Sequence, residues 1–269
     1  MTTPPEVART ILTYQSQVAS VRSQVLAFAE RLWGGLSAWR DADIDRLVDA
    51  LVPVSLGGQQ RIAALTDAYM TAMATAAGLP VPVSGTPATR VTGEALRGVP
   101  PREVYRRAGV TVWSKLAEGQ RLTDAVAAGK HRLIDMVATD LQLAKTKTAH
   151  AYMARDNTIR GYRRTLTGSE NCAMCTLAST QRYHKAELAA IHPGCDCGVS
   201  PIRGNADPGQ VISPARLEAL HKAAAEQLGQ SDRGGRAPDY RNIMVREHGE
   251  LGPVLTIRGQ HFDGPSSVS

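Results

Sequence analysis

From Pro5 to about Leu32 the apolar positions Val7, Ile11, Tyr14, Val18, Val21, Val25, Phe28 and Leu32 recur at intervals that alternate between four and three. That rhythm predicts one long helix with a heptad seam, begun by Pro5 in its first turn and stopped by Gly34-Gly35. With fewer than four full heptads, the seam suits packing inside the chain's own bundle before a coiled coil with another chain, and docking on another head protein is the alternative. Shorter helices are predicted over 43–51 and 59–77, the second Ala-rich and ending at Gly78. The stretch 79–101 then carries five Pro residues and reads as an extended linker, the main boundary in the chain. Helical periodicity returns over 102–118 and 122–153, the latter with an apolar stripe at Val126, Leu133, Val137, Leu141 and Ala144. Residues 159–167 alternate as a strand does, a helix is expected from Ser213 with Pro214 in its first turn, and Pro253–Ile257 reads as a strand in the tail.

Composition sharpens the fold class. The chain of 269 residues is 43% hydrophobic and only 4% aromatic, so its core is built from Ala, Val and Leu, which suits packed helices and argues against an all-β fold. The expectation is a mainly α protein with a small α+β core. A helical region over 1–78 is followed by the Pro-rich linker 79–101. A core over 102–205 has a helical hairpin leading into a small Cys/His zinc-knob with short strands, and 206–269 forms a helical and extended tail. No run approaches the roughly 20 apolar residues of a membrane span, and the N-terminus lacks the basic start and apolar run of a secretory signal. A reducing compartment and no membrane partner are therefore expected.

The formal charge of +6 favours contact with something acidic. Between Arg97 and Arg164 there are fourteen basic residues against six acidic, so the surplus is concentrated there and the rest of the chain is slightly acidic. Arg97, Arg102, Arg106, Arg107, Lys130, Arg132, Lys145, Lys147, Arg163 and Arg164 are the candidate phosphate-contacting residues of this run. A solvated helix face explains the same charges, since few aromatics are interleaved to stack on bases. Of 31 basic residues 25 are Arg, as a GC-rich coding sequence would give.

Four Cys fall between 172 and 197, and clustered Cys in a reducing compartment read as a metal site before they read as disulfides. Cys172 and Cys175 form a Cys-x2-Cys turn, and after an interval of sixteen residues come His192, Cys195 and Cys197. Zinc takes four such ligands in a tetrahedron, so five candidates compete for four places. The spacing leaves the choice open, with His192, beside Pro193, and Cys197 the first two in doubt. Buried reduced Cys acting as small hydrophobes are the alternative.

Signs of catalysis are weaker. His184 and Glu187 stand one residue too far apart, and on the wrong side of Cys-x2-Cys, for a zinc deaminase. His248-Gly-Glu250-Leu-Gly-Pro253 reads as a tight turn with locally satisfied polar groups. Neither a Gly-x-Ser-x-Gly elbow nor a phosphate-cradling Gly-x4-Gly-Lys-Ser/Thr loop is present.

The stretch from Gly161 through Cys172 and Cys175, followed by His192-Pro-Gly-Cys195-Asp-Cys197, resembles the core of the phage Mu F-like minor head proteins. The tail His248-Gly-Glu-Leu-Gly-Pro-Val-Leu-Thr resembles the form of that family carried by phages of actinobacteria. The matching blocks span about 120–202 and 240–262. The resemblance implies a structural minor capsid protein rather than an enzyme, held in few copies in the head interior after assembly in the host cytoplasm. Its implied partners are the portal protein, other capsid proteins and packaged DNA, and its implied role is in head assembly and DNA packaging or ejection. A capsid maturation protease is the first rival reading. A zinc-dependent nucleic-acid-binding protein or nuclease acting in the host is the second.

Overall fold

The computed structural model describes residues 5–76, 78–81, 85–165, 170–172, 175, 178–179, 182–185, 197–203, 218, 222, 243–248 and 252–257. Long helices dominate: α1 (Pro5–Gly34), α2 (Asp41–Ala76), α3 (Pro101–Ala117) and α4 (Leu122–Arg155). Strands follow as β1 (Ile159–Thr165), β2 (Glu170–Cys172), β3 (Arg182–His184), β4 (Gly198–Arg203), β5 (Ile243–His248) and β6 (Gly252–Ile257). The chain divides into two compact units. One holds the helices from Pro5 to Thr158, with Lys185, and the other holds the strands.

In the helical unit α1, α2 and α4 pack on one another, and α3 packs on α4 and α2. Helices α1 and α2 thus share one core with α3 and α4, and 79–101 is an internal connection instead of the predicted domain boundary. It carries two short 3-10 turns, Ala88–Arg90 and Gly93–Leu96, that bury Val91 and Leu96. The α1 seam holds for Tyr14, Val18 and Val25, but further along the buried positions are Ala29 and Trp33 instead of Phe28 and Leu32. An α-helix drifts about 20° per heptad against a strict seven-residue repeat. The buried stripe therefore walks by one position over three turns.

The two helices expected over 43–51 and 59–77 are one, α2, with Pro53 in its interior. Pro53, Gly57 and Gly58 read as a break, and Gly in mid-helix costs about 1 kcal/mol against Ala. Packing outweighs that cost. A Cβ on Gly58 would lie 2.6 Å from Val25 Cγ2 and 3.2 Å from Leu141 Cδ2, so the glycine is what lets α2 close on α1 and α4. The α3–α4 hairpin turns at Gly119, whose φ of +82° lies in the left-handed region that glycine favours. On α4 Leu133, Val137, Leu141 and Ala144 of the expected stripe are buried, whereas Val126 is half-buried and its neighbour Ala125 takes the buried place. No helix among the described residues is long and apolar enough to cross a membrane.

The strands form two antiparallel three-stranded sheets, ordered β3-β1-β4 and β2-β5-β6. The tail strand at Pro253–Ile257 is present as part of β6, paired with a β5 that the sequence did not announce. Since β5 also pairs with β2, Cys172 lying opposite Met244, the tail completes a sheet begun in the cysteine segment, and the boundary expected near 205 does not separate the two. Of the helix expected from Ser213, only Glu218 and Lys222 are described, and both are helical.

Candidate metal centre

In the first sheet β1 is central, with Tyr162 opposite Tyr183 of β3 and Thr165 opposite Gly198 of β4. A Cβ on Gly161 would lie 2.5 Å from the Tyr183 carbonyl oxygen, so this position admits β3 only as glycine. Alternation along β1 puts Tyr162 and Arg164 on one face, and register adds Tyr183 to it. The two tyrosine rings stack with centroids 5.2 Å apart, and the Arg164 guanidinium carbon lies 5.9 Å from the Tyr162 centroid and 5.3 Å from that of Tyr183. Arg164 Nη1 donates to Cys197 Sγ at 3.4 Å. Burial acts to lower the Arg164 pKa, and the Cys197 sulfur, followed by Tyr162 and Tyr183, more than offsets this, so the net direction is upward. Burial likewise raises the Tyr183 phenol, against the opposing charge of Arg164.

Of the five ligand candidates, Cys175 and Cys197 are described with their side chains, and both are buried and reduced. Cys172 is on β2 with its side chain outside the described residues, and His192 and Cys195 lie outside them altogether. Among the described residues no three His, Cys, Asp or Glu side chains converge. The guanidinium on the buried Cys197 sulfur is compatible with an anionic sulfur at that position.

The basic run is distributed very differently from a single phosphate-binding face. Arg97 Nε donates to Asp140 Oδ1 at 2.6 Å. Arg102 pairs with Asp45 and Asp49, and Arg106 with Asp41 and Asp45, forming a ladder between α3 and α2. Lys147 Nζ donates to the Ala95 carbonyl and Lys130 lies 3.3 Å from Glu30. Lys145, Arg163 and Arg164 are buried, so none of the three offers its charge at a surface. Arg107 and Arg132 are exposed. Most of the local surplus therefore holds the helical unit together.

The sequence reading missed a buried polar chain in that unit. Tyr105 OH donates to Asp140 Oδ2 at 2.8 Å and meets Ser55 Oγ at 2.6 Å. Gln59 Nε2 donates to Ser55 Oγ, while its Oε1 accepts from Gly93 N. With Arg97 on Asp140, these contacts join α2, α3, α4 and the connection over 79–101 at one point. The hydroxyls of Tyr105 and Ser55, the Gln59 amide and both Asp140 oxygens thereby find partners in a place where leaving one unpaired would cost about 1–3 kcal/mol. The signal was present in Asp140, a carboxylate between Val137 and Leu141 on the apolar stripe of α4. The side chains of Tyr105, Ser55, Gln59 and Asp140 are buried and that of Arg97 is partly exposed, so the chain fixes how these elements meet.

No curated protein and no solved structure gave a match. A family model, that of the VG15 protein, matches residues 6–224, and so takes in the four helices and the cysteine segment together. With more than four fifths of its length inside that match, the chain belongs to the VG15 protein family, a family of phage gene products.

Proposed function

We propose that this phage protein is a structural minor head protein, carried in the virion near the portal, where it supports head assembly and DNA packaging or ejection. The observation that carries the reading is the family match over 6–224, supported by the Mu F-like pattern of Cys172, Cys175, His192, Cys195 and Cys197 inside the same span. One structural zinc on four of those five residues belongs to the reading, because among the described residues of the strands Arg163, Arg164, Arg203, Cys175 and Cys197 take buried places beside the apolar ones. Contact with packaged DNA is non-specific and falls on Arg107 and Arg132, the exposed candidates, since the other eight candidates are buried or engaged within the fold.

Mass spectrometry of purified particles, with cryo-EM localisation in the head, tests the proposal. A few copies per particle inside the head, near the portal vertex, are expected. Absence from particles, with scaffold or capsid protein left uncleaved when the gene is removed, favours a maturation protease. Absence with normal cleavage favours a zinc-dependent nucleic-acid protein acting in the host.

A further inference from the structure

We propose that the groove between α1 and α2 is a docking site for an amphipathic helix of another protein, one that turns apolar side chains inward and carries a carboxylate toward each end. The inference concerns the helical unit alone and holds whether or not zinc is bound.

The buried side of α1 is turned into the bundle, so what that helix offers a partner is its outer side. There it leaves a gap against α2. The two helices run antiparallel, with Val25 against Gly58 and the ring of Tyr14 stacked on that of Tyr69, centroids 4.2 Å apart. Around Tyr14 they enclose a groove of about 290 Å³, with Arg9, Thr13 and Gln17 on one wall and Leu65, Ala68 and Ala72 on the other. Thr13, Gln17, Ala68 and Ala72 are exposed, so the groove opens to solvent. Small-molecule pockets start at about 300 Å³ and enclose most of their ligand. An open groove of this size instead suits a few apolar side chains of a helix laid across it.

The surroundings of the groove carry little charge for a chain that is 21% charged. Between Thr10 and Ala29, α1 has a single charged side chain, Arg22, which donates to the Ala138 carbonyl. Between Ala50 and Ala76, α2 has two, and one of them, Asp67, accepts from Thr86 and pairs with Arg155. Depletion of charge marks the core of a protein interface and gives a phosphate backbone little to hold. What charge remains is positive. Arg9 stands at one end of the groove, and Arg61 continues the Leu65, Ala68 and Ala72 side of α2 toward the other. Both arginines are exposed, and neither meets a carboxylate among the described residues. Eleven residues of helix separate Arg61 from Ala72, a rise of about 16 Å, so carboxylates about three turns apart on one helix reach both cations. Glu6, one turn before Arg9, lies outside the lining and leaves Arg61 unanswered. A second copy of the chain is the poorer occupant. The outward residues Thr13, Ser16, Gln17, Ala64 and Ala68 are short or polar, and only Leu12, 65% exposed, is a large apolar side chain that this face could insert.

The test uses the full chain in phage-infected cells, with photo-reactive benzoyl-phenylalanine in place of Gln17 and cross-linked peptides mapped by mass spectrometry. The expected product is one segment of another protein in which apolar residues recur at helical spacing between two acidic ones. Ala68→Glu fills the groove and opposes the partner's charge, and should lower the yield at least about tenfold. Arg9→Glu with Arg61→Glu should lower it about tenfold, with helical circular dichroism unchanged because both positions are exposed. A synthetic peptide of the mapped segment should bind the full chain more weakly as salt rises, and a version with lysines at its acidic positions should prefer the arginine-reversed chain. Cross-linking to a second copy, to nucleic acid or to a segment without paired acidic residues overturns the proposal. So does the absence of any cross-link, which leaves the minor head reading, resting on presence in particles, untouched. A yield indifferent to the arginine pair overturns it as well, including where Ala68→Glu fails to fold.

Discussion

Between Pro5 and Thr158 the largest buried side chains are aliphatic or aromatic, among them Ile44, Leu51, Ile62, Met70, Leu133 and Leu141. Beyond Ile159 the buried positions include Arg163, Arg164 and Arg203 beside Ser200, Cys175 and Cys197. The first unit is therefore held by apolar burial, with one polar chain fixing how its helices meet. The second hides charges and sulfur on short strands, an arrangement that needs something more than hydrophobic surface to hold it. Two modes of stabilisation in one chain should fail under different conditions.

The largest predicted difference is under chelation. The proposed structural zinc should contribute on the order of 10 kcal/mol of folding free energy, so chelation is expected to unfold the strand-bearing unit and leave α1 to α4 intact. Limited proteolysis would then cut beyond Ile159 while a fragment ending near Thr158 persists. Simultaneous loss of both units, or of neither, would erase the contrast.

Within the helical unit, Asp140→Ala should have the next largest effect. It strips Arg97 of its carboxylate and Tyr105 of an acceptor at a buried junction. Breaking one side of such a pair costs about 3–5 kcal/mol when burial is complete, and the partial exposure of Arg97 puts the expectation near the lower end. Urea unfolding followed by helical circular dichroism should show the fall, with zinc content unchanged.

The same contrast governs how much was legible in the sequence. Helices α1, α3 and α4 were readable because an apolar stripe repeated over many turns signals its own period. The single helix α2 was not, because the residues that read as a break, Gly58 above all, are required by neighbours about 33 and 83 positions away, Val25 and Leu141. Position along the chain carries no trace of such a contact. The reading of 79–101 as a linker failed for a related reason: its prolines are real, but Val91, Leu96 and Arg97 fasten it to helices on either side. In the strand unit the cysteines announced themselves by spacing, whereas Arg164 was counted as one more surface cation. Only the register of β1 with β3 and β4 moves it from the basic run to the sulfur of Cys197.

Alkaline pH offers a smaller and sign-specific test of the helical unit. Burial raises the phenol of Tyr14, against its hydrogen bond with Thr66, and burial followed by the Asp140 charge raises that of Tyr105. A folded-state pKa above the unfolded value of about 10 means the unfolded chain releases the proton first. Stability from these groups is thus fully present below about pH 10 and falls as pH rises from there toward the folded-state values. Tyr14→Phe should reduce the steepness of that loss by removing one of the two protons. At neutral pH the variant should cost only about 1 kcal/mol, for one buried hydrogen bond. A urea midpoint independent of pH between 9 and 11 would contradict the assignment.

The smallest effect is expected where the sequence placed the most charge. Arg102 and Arg106 are 47% and 43% exposed in their side chains, and the aspartates they meet on α2 are open to solvent to similar or greater degrees. Exposed ion pairs contribute roughly 0–1 kcal/mol each, and salt screens them. Arg102→Gln with Arg106→Gln should therefore lower the unfolding free energy by about 1–2 kcal/mol at low salt, with most of the difference gone in molar salt. The double variant should also leave any non-specific DNA binding nearly unchanged, because these charges already face Asp41, Asp45 and Asp49. Arg107→Gln with Arg132→Gln should do the reverse. Those two side chains are exposed, and losing two phosphate contacts should reduce the slope of log affinity against log salt by about 2 while stability moves little. Equal effects of the two pairs on DNA affinity would mean that the ladder opens to meet phosphate, and that the charges of the helical unit are shared between holding the bundle and binding DNA.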